Sequence, residues 1–435
     1  MKNQSETSPS PAKADNFFDL VFVSSYPPQG QIHGKGTVGV ASYAKNTILS
    51  LSKAGPKKPK ILVLAEKIPG EKEQYQEGNV TVIRCWQRNS FTALFEIFKI
   101  VKPLSAQKIV IEFEMAMLGN PASNIFFPVF LGILKLLGKK TFVVVHQVVL
   151  DFSQLSGHMG QSKESLKTKT LSLLAKIFFS LVVGLSDKVV VFEQFLKERL
   201  SELASAEKIL VIPHGVEAYP ITISQDQARE KLKLSKDNFI LIIFGFLAWY
   251  KGTDWLAKQT ADYLARIKDQ NLKLIIAGGA NPNHKDKPFY QKYINEIESL
   301  SKKYPKNIII TGFVDEAEIQ SLYQAANIVV LPYRAGMSSS GPLAIAFTNH
   351  RPVLVSEPLS ELFETKDIKD NLGQLGLHRD QITFSLSGKD FWQKVDGLRK
   401  DEKLREKAVL LAKLTVESRS WQKVGQAYYQ LLIKE

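Results

Sequence analysis

The sequence is poor in several features that would assign a class at once. Its 435 residues include a single cysteine, Cys85, so no internal disulfide can form. No run reaches the length of about 20 apolar residues that crosses a bilayer. The nearest, "IFFPVFLGILKLLG" and "LSLLAKIFFSLVVGL", are short and each carries a lysine. Both are expected to be amphipathic helices, with packing against a core preferred to membrane contact. The sequence shows no metal-ligand cluster of His, Cys, Asp and Glu. No short internal repeat occurs. The first 16 residues, "MKNQSETSPSPAKADN", are polar and proline-punctuated without an apolar signal region. They are expected to be a disordered leader, and the protein cytoplasmic.

What is present begins with charge. The formal net charge is +14, divided as +8 over residues 1–217 and +6 over residues 218–435. Such a spread, with no nucleic-acid recognition module, argues against nucleic-acid binding. One segment departs from the balance. Between Pro121 and Lys176 lie seven lysines (Lys135, Lys139, Lys140, Lys163, Lys167, Lys169, Lys176) against Asp151 and Glu164. That makes a local basic face, and peripheral contact with an anionic membrane at the inner face of the cell membrane is an expectation that follows from it.

Short β-branched runs alternate with helix-length segments, the pattern of parallel βαβ units. The first series is "FDLVFVSSY", "KILVLAE", "VTVIRCW", "KIVIEFE", "KTFVVVHQV", "KVVVFE" and "KILVIPHGV"; the second is "FILIIFGFL", "LKLIIAGG", "NIIITGF", "NIVVLPY" and "PVLVSE". Near-continuous apolar strands imply sheets covered on both faces. The expected fold is α/β, with two doubly wound Rossmann-like domains facing each other across a cleft. The seam falls between Gly215 and Lys236, giving domains at 17–217 and 218–415.

In open parallel sheets ligands settle beyond the carboxyl ends of the strands. Three loops there draw notice. In "LPYRAGMSSSGPLAIAF", Ser338 to Gly341 precede a helix opened by Pro342, and unpaired N–H groups with the helix dipole suit a phosphate. An ordinary capped helix has the same sequence signature. "FGFLAWYKG" delivers Lys251 to a helix start, and "AGGA" ends another strand. Together they favour a nucleotide-type ligand on the second domain.

From Asp19 to about Ile433 the chain resembles the family-4 (group 1) retaining glycosyltransferases of GT-B architecture. The matching pieces are "SSYPP" with "GVASYAKNTILSL", "VIPHGV", "FGFLAWYKG", "LIIAGG", "ITGFVDEAEIQSLYQAANIVVLPY" and the terminal "SWQKVGQAYYQLL". The resemblance implies transfer of a sugar from a nucleotide-diphosphate donor, a UDP- or GDP-sugar, to a glycan, lipid-linked or other glycoconjugate acceptor. It implies retention of configuration, no bound metal, and no tightly bound cofactor. By the same resemblance Gly39 lets the donor phosphates approach, Lys251 binds the diphosphate, and Ser339, Ser340 and Gly341 cradle the distal phosphate. Gly312 and Phe313 line the base pocket. His146 sits beside the transferred sugar, and Glu114 lies on the acceptor side. Residues 416–435 would form a helix crossing back to the first domain.

The pattern is incomplete. Two glutamates that many members carry, eight positions apart, are Met337 and Ile345 here, and an arginine that accompanies the lysine is missing from "FGFLAWYKG". The chain resembles a variant with a serine-glycine turn, in which Arg334 is the candidate for the missing charge. Two rival readings stay open: a nucleotide-sugar epimerase of the same architecture, and a degenerate binding subunit without catalysis.

Overall fold

A computed structural model of the protein describes residues 17–32, 39–155, 165–281 and 286–434. The leader at 1–16, and with it Lys163 and Glu164 of the basic segment, lies outside the described residues.

Two separate sheets form. The first has eight strands: β1 (Leu20–Val23), β2 (Ile61–Glu66), β3 (Gln74–Glu77), β4 (Val80–Trp86), β5 (Lys108–Phe113), β6 (Lys140–Val145), β7 (Lys188–Val191) and β8 (Ile209–Val211). Their order is β3-β4-β2-β1-β5-β6-β7-β8. All pairs are parallel except β3 with β4, a hairpin turned at Gly78, whose φ of 63° suits glycine. The second sheet is wholly parallel: β9 (Phe239–Phe244), β10 (Leu272–Ala277), β11 (Ile308–Ile310), β12 (Ile328–Leu331), β13 (Val353–Ser356) and β14 (Thr383–Phe384), in the order β11-β10-β9-β12-β13-β14. Every residue of β1, β2, β12 and β13 is buried, because helices cover both faces. β3 and β14 have no counterpart in the hydrophobic pattern: "QYQE" lacks β-branched residues, and β14 is two residues long.

The chain crosses between the sheets twice, and the crossings run side by side. Val216 bridges Ser420, and the Val216 N–H donates to the Arg419 carbonyl at 2.8 Å. Beyond the second crossing, helix Trp421–Tyr429 packs on helix Val40–Leu51 of the first half. There Tyr43 and Tyr428 share a hydroxyl hydrogen bond of 2.8 Å, and Gly425 lies so close to the Ser50 backbone that any side chain would collide with it.

One expectation needs correction. The segment around "LSLLAKIFFSLVVGL" is a helix of 20 residues, Leu166–Leu185, long and apolar enough to cross a membrane by length and composition. It nonetheless lies on the sheet. It connects the neighbouring parallel strands β6 and β7, and its Phe179, Val182 and Val183 are buried in the same core cluster as Val143, Val145, Val189 and Val191 of those strands.

Candidate functional site: a cleft between the two sheets

Loops beyond the carboxyl ends of β1, β5, β6, β7 and β8 face loops beyond β9, β11 and β12 around a cavity of about 720 Å³. Gly39, Glu114 and His146 border it from the first sheet, and Ser338, Ser339 and Gly341 from the second. At Gly39 a Cβ would meet nothing within 4 Å, so the space beside it is open rather than packed.

The serine-glycine turn is built by local chemistry. Ser340 caps helix Gly341–Thr348, its hydroxyl accepting from the Leu343 N–H at 3.3 Å, and Pro342 sits where its missing N–H costs nothing. Among the described residues, the backbone N–H groups of Ser338, Ser339 and Gly341 have no protein acceptor. They lie on the cavity wall at a positive helix end. Ser340 itself is buried behind that wall.

Lys251 does not line the cavity. Its ammonium packs against Gly245, whose φ is 106° and where a Cβ would stand 2.7 Å from Nζ and 3.7 Å from Pro342. Lys251 therefore sits under the same helix start. The ammonium has no hydrogen-bond or ion-pair partner among the described residues, and burial holds its pKa down to about 8. Gly312 and Phe313 do not line the cavity, whose wall on this side begins at Val314; the Phe313 ring covers Gly279 and meets Phe246 edge-on at 5.8 Å, making an exposed aromatic pair.

Arg334 departs from expectation. Its guanidinium forms a bidentate pair with Asp254 (2.9 and 2.7 Å), donates to the Trp249 carbonyl and stacks on the Trp249 ring. It does not border the cavity, and its charge is already neutralised. Met337 and Ile345 do border it and present apolar surface where the resembling family has carboxylates. Acidic groups reach the cavity from elsewhere, as Glu217 and Glu316.

On the opposite wall His146 Nε2 lies 2.7 Å from Glu112 Oε2. Glu112 is wholly buried, and burial raises its carboxyl well above the usual range. Burial lowers His146 to about 4, although Glu114 opposes that shift. Burial thus favours the uncharged form of both partners, and their short contact holds the imidazole ring in place. Burial also raises the Glu114 carboxyl, an effect His146 partly offsets. His214 is a second neutral imidazole on the cavity, held near 4 by burial, with Nδ1 donating to the Gly215 carbonyl at 2.7 Å.

Glu193, just past β7, ties the turn to the other half. Its carboxylate accepts from Ser339 Oγ (2.9 Å), Thr365 Oγ1 (2.7 Å) and Arg419 (2.8 and 3.0 Å), and Arg419 also binds Asp367. Burial alone would lower the Arg419 pKa, but Glu193 and Asp367 outweigh it and raise it. Glu112, His214 and Glu193 all occupy the ends of first-sheet strands, the same position that marks Glu114 and His146 in the sequence. Only the pairing partners distinguish them.

Residues 238–371 match the family model described as glycosyl transferases group 1. A 139-residue segment is 27% identical to the D-inositol 3-phosphate glycosyltransferase of Corynebacterium aurimucosum, covering 30% of either chain. A 185-residue segment is 25% identical to the alpha-monoglucosyldiacylglycerol synthase of Acholeplasma laidlawii, covering 39% of this chain and 44% of that one. These matches thus span less than half the length of the curated relatives. Likeness in fold is broader. The sucrose-phosphate synthase of Thermosynechococcus elongatus superposes with a TM-score of 0.66 at 16% identity, over 96% of this chain and 99% of that one. Anabaena HepE in complex with UDP and glucose superposes with a TM-score of 0.62 at 13% identity, over 96% and 99%. The chain therefore has the GT-B fold, and its residues 238–371 match the group 1 glycosyltransferase model.

Proposed function

We propose that the protein is a retaining hexosyltransferase. It moves a sugar from a nucleotide-diphosphate donor to a glycan, lipid-linked or other glycoconjugate acceptor, at the cytoplasmic face of a membrane. The observation that carries this reading is the row of unpartnered amides at Ser338, Ser339 and Gly341, open to a cavity whose far wall holds His146 and Glu114. A leaving diphosphate needs its charge stabilised in a site from which water is largely excluded, and aimed N–H groups at a helix start do this without reorganisation. Lys251, beneath the same helix start, adds a full positive charge. His146, held in place by Glu112, offers its ring to a sugar hydroxyl, and Glu114 orients the acceptor. The leaving phosphate itself serves as base, which keeps attack on the face it departs from and so retains configuration. Gly39 keeps space open for the donor phosphates, while the Phe246 and Phe313 rings flank the base.

UDP-linked donors are the first to test, because the neighbour HepE was solved with UDP and glucose. The experiment is a screen of UDP- and GDP-sugars with purified protein and lipid-linked and soluble acceptors, scoring nucleotide release and the anomeric configuration of the product. Acceptor-dependent release with an unchanged anomer supports the reading. Release of an isomerised sugar without acceptor would replace it with an epimerase, and silence from every donor would leave a binding subunit.

A further inference from the structure

The crossovers β4 to β5, β5 to β6 and β6 to β7 all advance in one direction across the first sheet. Right-handed connections then put helices Ala93–Val101, Pro121–Leu136 and Leu166–Leu185 side by side on one face. Gly132 of the second helix backs onto Leu185 of the third. Each of the longer two helices buries one apolar stripe and leaves another in solvent. On Leu166–Leu185 the residues Leu173, Leu174, Ile177 and Leu181 point away from the buried Ala175, Phe179 and Val182, and they are 47–59% exposed. On Pro121–Leu136 the residues Ile125, Phe126, Val129, Ile133 and Leu136 are 40–89% exposed. Phe91 and Phe95, 77% and 57% exposed, continue the patch towards the first helix. Single exposed apolar residues are ordinary, but a contiguous field of large ones on adjacent helices marks a contact surface.

Charge selects the occupant. Neither of the two long helices contains an acidic residue, and between them they expose Lys135, Lys167, Lys169 and Lys176. A second copy meeting this face would bring like charges together with no carboxylate to neutralise them. A bilayer of anionic lipid offers hydrocarbon to the stripes and phosphate to the lysines. We infer that this helical face seats on an anionic membrane surface, lying along it rather than spanning it.

The inference gains a consequence that rests on the transferase reading. Met115, 43% exposed, adjoins Glu114, which borders the cavity. The rim of the membrane face thus meets the acceptor side of the cleft, and the acceptor is an amphiphile whose head group reaches Glu114 while its chains stay in the bilayer.

The test is flotation of the full chain with phosphatidylcholine vesicles, with or without roughly a third phosphatidylglycerol. Four proteins are compared: the wild type, Leu173→Ser/Ile177→Ser/Leu181→Ser, Lys135→Gln/Lys167→Gln/Lys169→Gln/Lys176→Gln, and Lys251→Ala. The wild type and Lys251→Ala should float equally with anionic vesicles. The apolar and lysine variants should bind about tenfold more weakly or less, and added salt should weaken wild-type binding. Circular dichroism of every variant, and unchanged donor binding by the apolar and four-lysine variants, show that they fold. Wild type that does not float, floats equally with uncharged vesicles, or loses a dimer rather than vesicle binding in the apolar variant overturns the inference. Turnover on a soluble acceptor without flotation would sink the membrane face alone. Flotation without turnover on any donor would sink the transferase reading alone.

Discussion

Lys251 links donor affinity to pH in a way that can be worked out before any measurement. In the free protein its ammonium is held near 8 by burial, with no partner among the described residues. If a nucleoside diphosphate binds only the charged form, apparent affinity scales with the charged fraction. That fraction is roughly nine tenths at pH 7 and one tenth at pH 9, so UDP should bind about tenfold more weakly at pH 9, about 1.3 kcal/mol. The terminal phosphate of UDP is already ionised above pH 7, its second pKa being about 6, so it does not contribute to the change. Isothermal titration calorimetry from pH 7 to 9, in two buffers of different ionisation enthalpy, should show uptake approaching one proton at the alkaline end. Lys251→Met should bind weakly, with no pH dependence and no proton uptake. The same residue predicts a stability effect of opposite benefit. Because its folded pKa lies below the unfolded value, the unfolded chain holds more protons between about pH 8 and 10, and wild-type stability rises with pH across that window. At pH 7 the penalty of the buried charge is present in full, so Lys251→Met should be the more stable protein by on the order of 1 kcal/mol. A dissociation constant for UDP that stays flat from pH 7 to 9, or Lys251→Met binding like wild type, would remove Lys251 from the phosphate site.

Three further outcomes follow from other parts of the cleft. Gly39→Val should cost less than about 1 kcal/mol in urea denaturation yet abolish UDP binding, since the new side chain meets open space rather than protein; intact binding would show that the donor lies elsewhere. Arg419→Ala strands the buried Glu193 carboxylate and should lower stability by about 3–5 kcal/mol. Ser339→Ala removes one hydrogen bond to the same carboxylate and should cost only about 1 kcal/mol; equal losses in the two variants would argue against a shared anchor at Glu193. Glu112→Gln keeps a hydrogen-bond partner on His146 Nε2 and should fold and turn over near wild-type levels at pH 7. The raised folded pKa of Glu112 means that wild type loses stability as pH climbs above the unfolded carboxyl value. Thermal melts should therefore show the Gln variant gaining on wild type with rising pH, and parallel curves would mean that Glu112 is ionised in the fold.

Much of this molecule was decided by local pattern. Apolar β-branched runs of strand length, separated by helix-length segments, settle the two parallel sheets, because burial on both faces permits little else. The loops that matter are legible as well: the serine-glycine turn, the strand ends at Glu114 and His146, and Gly39 all sit where such a fold puts ligands. Partnership is another matter. Arg334 reads as a spare charge until Asp254, 80 residues away, is seen to hold it. Glu112 lies in β5 and Glu114 just beyond its end, yet one is wholly buried on the His146 ring and the other borders the cavity. Glu193 becomes an anchor only when Ser339, Thr365 and Arg419 converge on it from three other segments. The apolar helices give the same lesson on a larger scale: the sequence shows that Leu166–Leu185 is an apolar helix carrying lysines, but only the packing shows which stripe is covered and which is left bare. Sequence spacing encodes the direction a side chain takes from its own backbone, while what that side chain meets depends on chain segments hundreds of residues apart, which the fold alone brings together.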